Sequence, residues 1–314
     1  MKRSRKRPFK ADAWVHVYKR RKDKFLLFYT TRDFLVYYTL FFCLAEKHKV
    51  RAYGLCIMVD HVHELLQASK RERLENFERE LNSRFAKEWN FAHNTVGQVF
   101  SRFGNSIKLG DKQKRTCFAY LANNPVERHI CVNAEQYTWT FLLPDRDTYS
   151  LSALSEDLLF KLKRVEALRQ SGRPLTYLVL DNLVAGLDAQ EQKILVGHII
   201  KTYDALDRQS VLNLYGDEAT MIIAVNSNTG SEYDIKESFS GVSDAVYSKI
   251  RLILDRDYNV KSPADVIHWD IDKKIAALHD LMSKSSATMA QVAKYLHLSI
   301  MSSPDISLPM LNNK

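Results

Sequence analysis

The apolar positions of the first 150 residues change their period several times. Residues 13–18 (AWVHVY) and 25–30 (FLLFYT) read as two short strands around a basic turn. Residues 33–48 open on Asp33 and keep a helical apolar pattern. Residues 51–67 read as one or two strands. Across 70–92, Leu74, Phe77, Leu81 and Phe85 recur at steps of three and four, which predicts a charged amphipathic helix. Residues 97–108 (GQVFSRFGNSIK) read as loop or strand punctuated by glycine. Residues 111–123 read as a further helix, closed at Asn124 because the residue before Pro125 is pushed out of the αR region. The order β-β-α-β-α-(β)-α predicts an α+β fold, one sheet with helices against it.

The polar junction 144–150 (PDRDTYS) marks the expected domain boundary, giving domains 1–147 and 148–314. Beyond it, 152–171, 188–207, 242–255 and 270–283 all carry helical periodicity, so the second domain reads as mainly α-helical. Segment 288–299 (TMAQVAKYLHLS) has the pattern of the first two-thirds of a helix-turn-helix, but the helix that should follow meets Pro304 and Pro309.

Two places in the first domain carry chemistry. In MVDHVHELLQ (58–67), His61 and His63 flank Val62. On a strand, residues two apart share a face, so both imidazoles project from the same side. Such a pair suits a metal ion, and it equally suits the solvated face of a sheet. In CFAYLANNPVERHI (117–130), Tyr120 and Asn124 lie four apart and share a helix face. A tyrosine that attacks a phosphate needs a cation close to that phosphate, to polarise its oxygens and offset the developing charge. An oxygen ligand one turn from the nucleophile fixes that separation.

These two segments together resemble the single-tyrosine HUH transposases, and most of all the REP-associated tyrosine transposases. MVDHVHELL is similar to the HUH motif of that family, and AYLANNPV to its tyrosine-helix motif, a Tyr four residues before the Asn of an NPV tripeptide. GQVFSRFGNSIK stands where the family has a Gly-x-aromatic-x-Arg-aromatic segment. The resemblance spans roughly residues 12–145. Val59 replaces a usual proline, Glu64 a usual apolar residue, and ERHICV follows NPV where a Lys-Ala-Gly turn is frequent. The resemblance implies a ferredoxin-like domain, an antiparallel sheet with helices on one face. It implies Mg²⁺ or Mn²⁺ held by His61, His63 and Asn124, with Tyr120 as nucleophile. The implied reaction is cleavage and rejoining of single-stranded DNA through a 5′-phosphotyrosine, on hairpin-containing substrates, as in DNA transposition. A domesticated, non-catalytic hairpin-DNA-binding regulator of the same fold is the alternative. A metallohydrolase built on HxH would need further His/Asp ligands at recognisable spacing, and replication initiators of the wider HUH group lack the NPV ending.

Charge sharpens the partner. Residues 1–150 hold 28 Lys+Arg against 16 Asp+Glu, whereas residues 151–314 hold 18 against 21. The basic half is the expected polyanion binder. Arg3, Arg5, Lys6, Arg7, Lys19, Arg20, Arg21 and Arg102 are its candidate contacts to single-stranded or hairpin DNA, and Trp14, Tyr53 or Phe103 could stack bases. No apolar run reaches the roughly 18 residues of a membrane helix. The first residues are basic but lack the apolar core of a signal peptide. Cys43, Cys56, Cys117 and Cys131 form no CxxC pair. A cytoplasmic protein without a membrane partner is expected, with a homodimer as one arrangement open to it.

Overall fold

The structure is a computed structural model and describes residues 8–143, 154–227 and 242–299. By packing, the chain divides into two compact units between Ala245 and Val246. The boundary expected at 147/148 lies outside the described residues.

The first unit is built on a four-stranded antiparallel sheet. Its strands are β1 (Trp14–Arg20), β2 (Arg51–Ile57), β3 (His61–Gln67) and β4 (Gly104–Lys108), in the order β2-β3-β1-β4. Helix α1 (Thr31–His48) joins β1 to β2, and α2 (Arg71–Ala92) joins β3 to β4. The start of α1 is fixed by a capping box in which Thr30 and Asp33 satisfy each other's backbone N–H groups. Its end is the left-handed Lys49. The expected strand at 25–30 does not form. That apolar run is buried as irregular chain, with Leu27 and Phe28 N–H both donating to the Val59 carbonyl.

Alternation assigns each strand residue to a face. Val15, Val17 and Lys19 of β1 share a face with Val62, Glu64 and Leu66 of β3. This face is covered by α1 and by the predicted stripe of α2, whose Leu74, Phe77, Leu81 and Phe85 are all buried, joined by Trp89, which the stripe did not include. The opposite face presents Trp14, His16 and Tyr18 with His61, His63 and Leu65. It is covered by α3 (Asp111–Glu127), whose Phe118, Leu121 and Ala122 pack against Tyr53, Cys56 and Leu65. The expectation of helices on one face is therefore corrected: they cover both. Helix α3 also runs one turn past its expected end, through Pro125 to Glu127. A proline removes only its own N–H, and the Arg128 N–H still closes onto the Asn124 carbonyl.

The helices α4 (Glu156–Gln170), α5 (Tyr177–Val184), α6 (Ala189–Tyr203), α7 (Arg208–Tyr215) and α8 (Glu218–Asn226) belong to this same unit. Tyr38 of α1 donates to the Ile200 carbonyl, Tyr177 donates to Asp33, and Asn123 donates to the Val225 carbonyl. They are not a separate module. The physical reason is α1 itself, buried on every side from Asp33 to Ala45. The sheet and α2 cover one side of it, and α5, α6 and the rings of Trp139 and Phe141 pack against others.

The second unit contains α9 (Val246–Tyr258), α10 (Pro263–Ile267), α11 (Ile271–Ser285) and α12 (Met289–Leu296). Ile250, Leu254, Leu278, Leu281, Val292 and Leu296 are buried in it. The helix needed to complete a helix-turn-helix after α12 would lie outside the described residues. No helix among the described residues is long and apolar enough to cross a membrane.

Candidate functional site

The hairpin between β2 and β3 turns at Asp60, and β3 begins at once with His61. His61 and His63 point to the α3 side of the sheet, as their spacing requires. Tyr120 and Asn124 stand on the facing side of α3. The structure thus brings all four residues together. His61 Nε2 lies 3.1 Å from Asn124 Oδ1, and Asn124 Nδ2 lies 3.3 Å from His63 Nε2. The Tyr120 ring meets the His63 ring edge-on, centroids 5.3 Å apart. His61, His63 and Asn124 are each 1% exposed or less, and Tyr120 is 4% exposed.

Behind the two histidines stand two residues that the sequence reading did not select. Asp60 Oδ1 lies 2.6 Å from His61 Nδ1, and His16 Nε2 lies 3.0 Å from His63 Nδ1. The His61 Nδ1–H donates to the Asp60 carboxylate. Asp60 could have been found, because it precedes His61 at an evident turn. His16 could not: it sits on β1, and only the β1–β3 register brings it beside His63. Tyr18, directly opposite His63 in that register, lays its ring 5.0 Å from His63 and 5.6 Å from His61.

The donor set fits a divalent cation. Each histidine has its Nδ1 engaged from behind and its Nε2 turned inward, the arrangement typical of metal-ligating histidines. A neutral His61 with its proton on Nδ1 carries a lone pair on Nε2. That lone pair then faces the lone pairs of Asn124 Oδ1 across 3.1 Å. Two acceptors face each other stably only with a proton or a cation between them. Two imidazole nitrogens and an amide oxygen are mixed N/O ligands that suit Mn²⁺ or Mg²⁺ with water completing the shell. Among the described residues, no cluster of three His, Cys, Asp or Glu side chains forms an alternative centre.

The basic candidates divide sharply. Arg3, Arg5, Lys6 and Arg7 lie outside the described residues. Arg20 and Arg102 are exposed, and Arg102 borders an open groove lined by Asn82, Lys87, Gln98 and Phe103. Lys19 is corrected. Its side chain is fully buried on the α2 side of the sheet, with Nζ 2.9 Å from Glu64 and 2.8 Å from Glu78. Burial acts to lower the Lys19 pKa, but the charge and hydrogen bonds of its partners Glu64 and Glu78 outweigh it and hold it above the ordinary lysine value. Arg21 is also turned inward: its guanidinium lies 4.2 Å over the Trp89 ring and is bound by Asp23 and the Leu26 carbonyl. Neither side chain is offered to DNA. Trp14 and Tyr53 stack on each other at 3.9 Å and are buried, so they are not base-stacking platforms either.

No family model matches the chain, and no curated protein matches it. Among solved structures, the chain is similar to a REP-associated tyrosine transposase bound to a REP hairpin. That likeness has 15% identity and a TM-score of 0.39, and it covers 50% of this chain and 93% of the other.

Proposed function

We propose that this protein cleaves and rejoins single-stranded DNA, with Tyr120 as nucleophile beside a cation held by His61, His63 and Asn124. The observation that carries the reading is the convergence of four residues from two distant segments, HVH on β3 and YxxxN on α3, with both histidines braced from behind. The element order βαββαβ and the sheet order β2-β3-β1-β4 support a ferredoxin-like core for the domain. Hairpin-containing DNA is the substrate class that the motif pair suggests.

In the reaction, Tyr120 Oη attacks a backbone phosphorus. The Oη–P bond forms, the P–O3′ bond breaks, the phenol loses its proton and the departing 3′ oxygen gains one. The 5′-phosphotyrosine conserves the bond energy, so an incoming 3′-OH can reverse the step without ATP. A phenol with a pKa near ~10 is a weak nucleophile at neutral pH. A bound Mg²⁺ or Mn²⁺ supplies charge stabilisation for the phenolate and for the phosphoryl oxygens. His61, His63 and Asn124 hold the site in place, and the helical step from Asn124 to Tyr120 sets the nucleophile's distance from it.

Burial of all four residues favours a second reading, a hairpin-DNA-binding regulator that does not cut. A denaturing gel of full-length protein with labelled hairpin DNA and Mn²⁺ separates the two. A denaturant-resistant adduct that is lost in Tyr120→Phe supports cleavage. DNA binding without any adduct supports the regulator.

A further inference from the structure

Resting on the metal-site reading above, we propose that His16 is a positioning residue for that site. It accepts the Nδ1–H of His63 and thereby keeps the His63 Nε2 lone pair turned toward the cation. A neutral imidazole has one N–H and one lone pair, and the partner of one nitrogen decides the state of the other. The Asn124 amide nitrogen lies 3.3 Å from His63 Nε2, and an N–H donor there requires a lone pair on Nε2. The His63 proton then sits on Nδ1, directed at His16 Nε2, 3.0 Å away. His16 is 1% exposed, and its ring lies nearly parallel to that of His63, at 19°. Water therefore does not compete for the contact. His16 also meets the Tyr120 ring edge-on at a centroid distance of 6.0 Å, so one side chain braces both the ligand and the proposed nucleophile's ring.

His16 does for His63 what Asp60 does for His61, from a different strand and without a charge. Loss of such a partner typically lowers metal affinity by about 10–100-fold. Two readouts test the assignment. Long-range ¹H–¹⁵N spectra of the metal-free full-length protein report the His63 tautomer, and the proton is expected on Nδ1. Finding it on Nε2 overturns the proposal, whatever any variant does. Mn²⁺ calorimetry then compares wild type, His16→Phe, His16→Gln and His61→Ala. His16→Phe keeps an aromatic ring but offers no acceptor, and is expected to bind about 10–100-fold more weakly. His16→Gln places an amide oxygen at a reach similar to Nε2 and is expected to stay close to wild type. If His61→Ala loses binding while His16→Phe matches wild type, the role of His16 is overturned and the metal reading stands. If wild type binds no Mn²⁺, both fall.

Discussion

His63 and Glu64 are neighbours on β3, yet they serve opposite faces of the sheet and opposite chemistries. On the α2 side, Glu64 shares Lys19 with Glu78, and Tyr37 donates to it at 2.5 Å. Burial and the charge of Glu64 push the Glu78 carboxyl well above the ordinary carboxylate range. Glu64 Oε2 and Glu78 Oε1 are buried without another partner, and a proton kept by Glu78 would serve both. With that proton in place the cluster would carry no net charge and leave no polar atom without a partner. On the α3 side, His61 Nε2 and Asn124 Oδ1 face each other at 3.1 Å, and both histidines are braced from behind. Buried polar groups need partners on either face. One face contains its own partners and is structural; on the other, the proposed cation would complete the set.

The sharpest break of this contrast is on the histidine face. His61→Ala and His63→Ala are each expected to abolish Mn²⁺-dependent adduct formation while leaving the fold intact, as judged by circular dichroism. Asn124→Ala is expected to retain some activity, because water can replace a neutral amide oxygen.

The opposite face should respond in stability instead. Lys19→Met leaves Glu64 buried without its cation, and is expected to cost about 3–5 kcal/mol in denaturant unfolding. Glu78→Gln is expected to be mild and to change the pH dependence. The folded state holds the Glu78 proton above the pH at which the unfolded chain loses it. The stability from that proton is therefore present at low pH and is lost as pH rises through the folded pKa. A glutamine keeps its N–H at any pH, so Glu78→Gln should gain on wild type as pH rises. Adduct yield at neutral pH should barely change in Glu78→Gln.

The smallest expected effect belongs to the exposed cations. Arg20→Ala and Arg102→Ala should each reduce the magnitude of the log–log salt slope of DNA binding by about 0.7 on single strands, or about 0.9 on duplex, if each neutralises one phosphate. Arg21→Ala should leave that slope unchanged, because its guanidinium is already spent on Trp89 and Asp23.

The sequence made local order legible and long-range order only in part. The α2 stripe and the shared face of His61 and His63 follow from periodicity alone, and the structure has both. The pairing of Tyr120 with the histidines came from motif resemblance, since nothing local ties 120 to 61. Charge misled twice. Lys19 and Arg21 sit in a basic run, but strand alternation turns Lys19 into the core, and Arg21 is claimed by Trp89. The change of charge sign near residue 150 describes surface composition, whereas α5 to α8 are placed by the apolar faces of α1 and α3 that they cover, and α4 packs on α6. His16 was invisible because a lone strand histidine has no meaning until its register is known.

The most direct measurement is anomalous diffraction at the manganese edge from crystals of the full-length protein grown with Mn²⁺. The expected result is one strong peak within ligand distance of His61 Nε2, His63 Nε2 and the Asn124 side chain, absent in crystals of His63→Ala. A peak at the Lys19–Glu64–Glu78 cluster, or no peak between the two histidines at saturating Mn²⁺, would contradict the assignment of the histidine face as the metal-bearing side of the sheet.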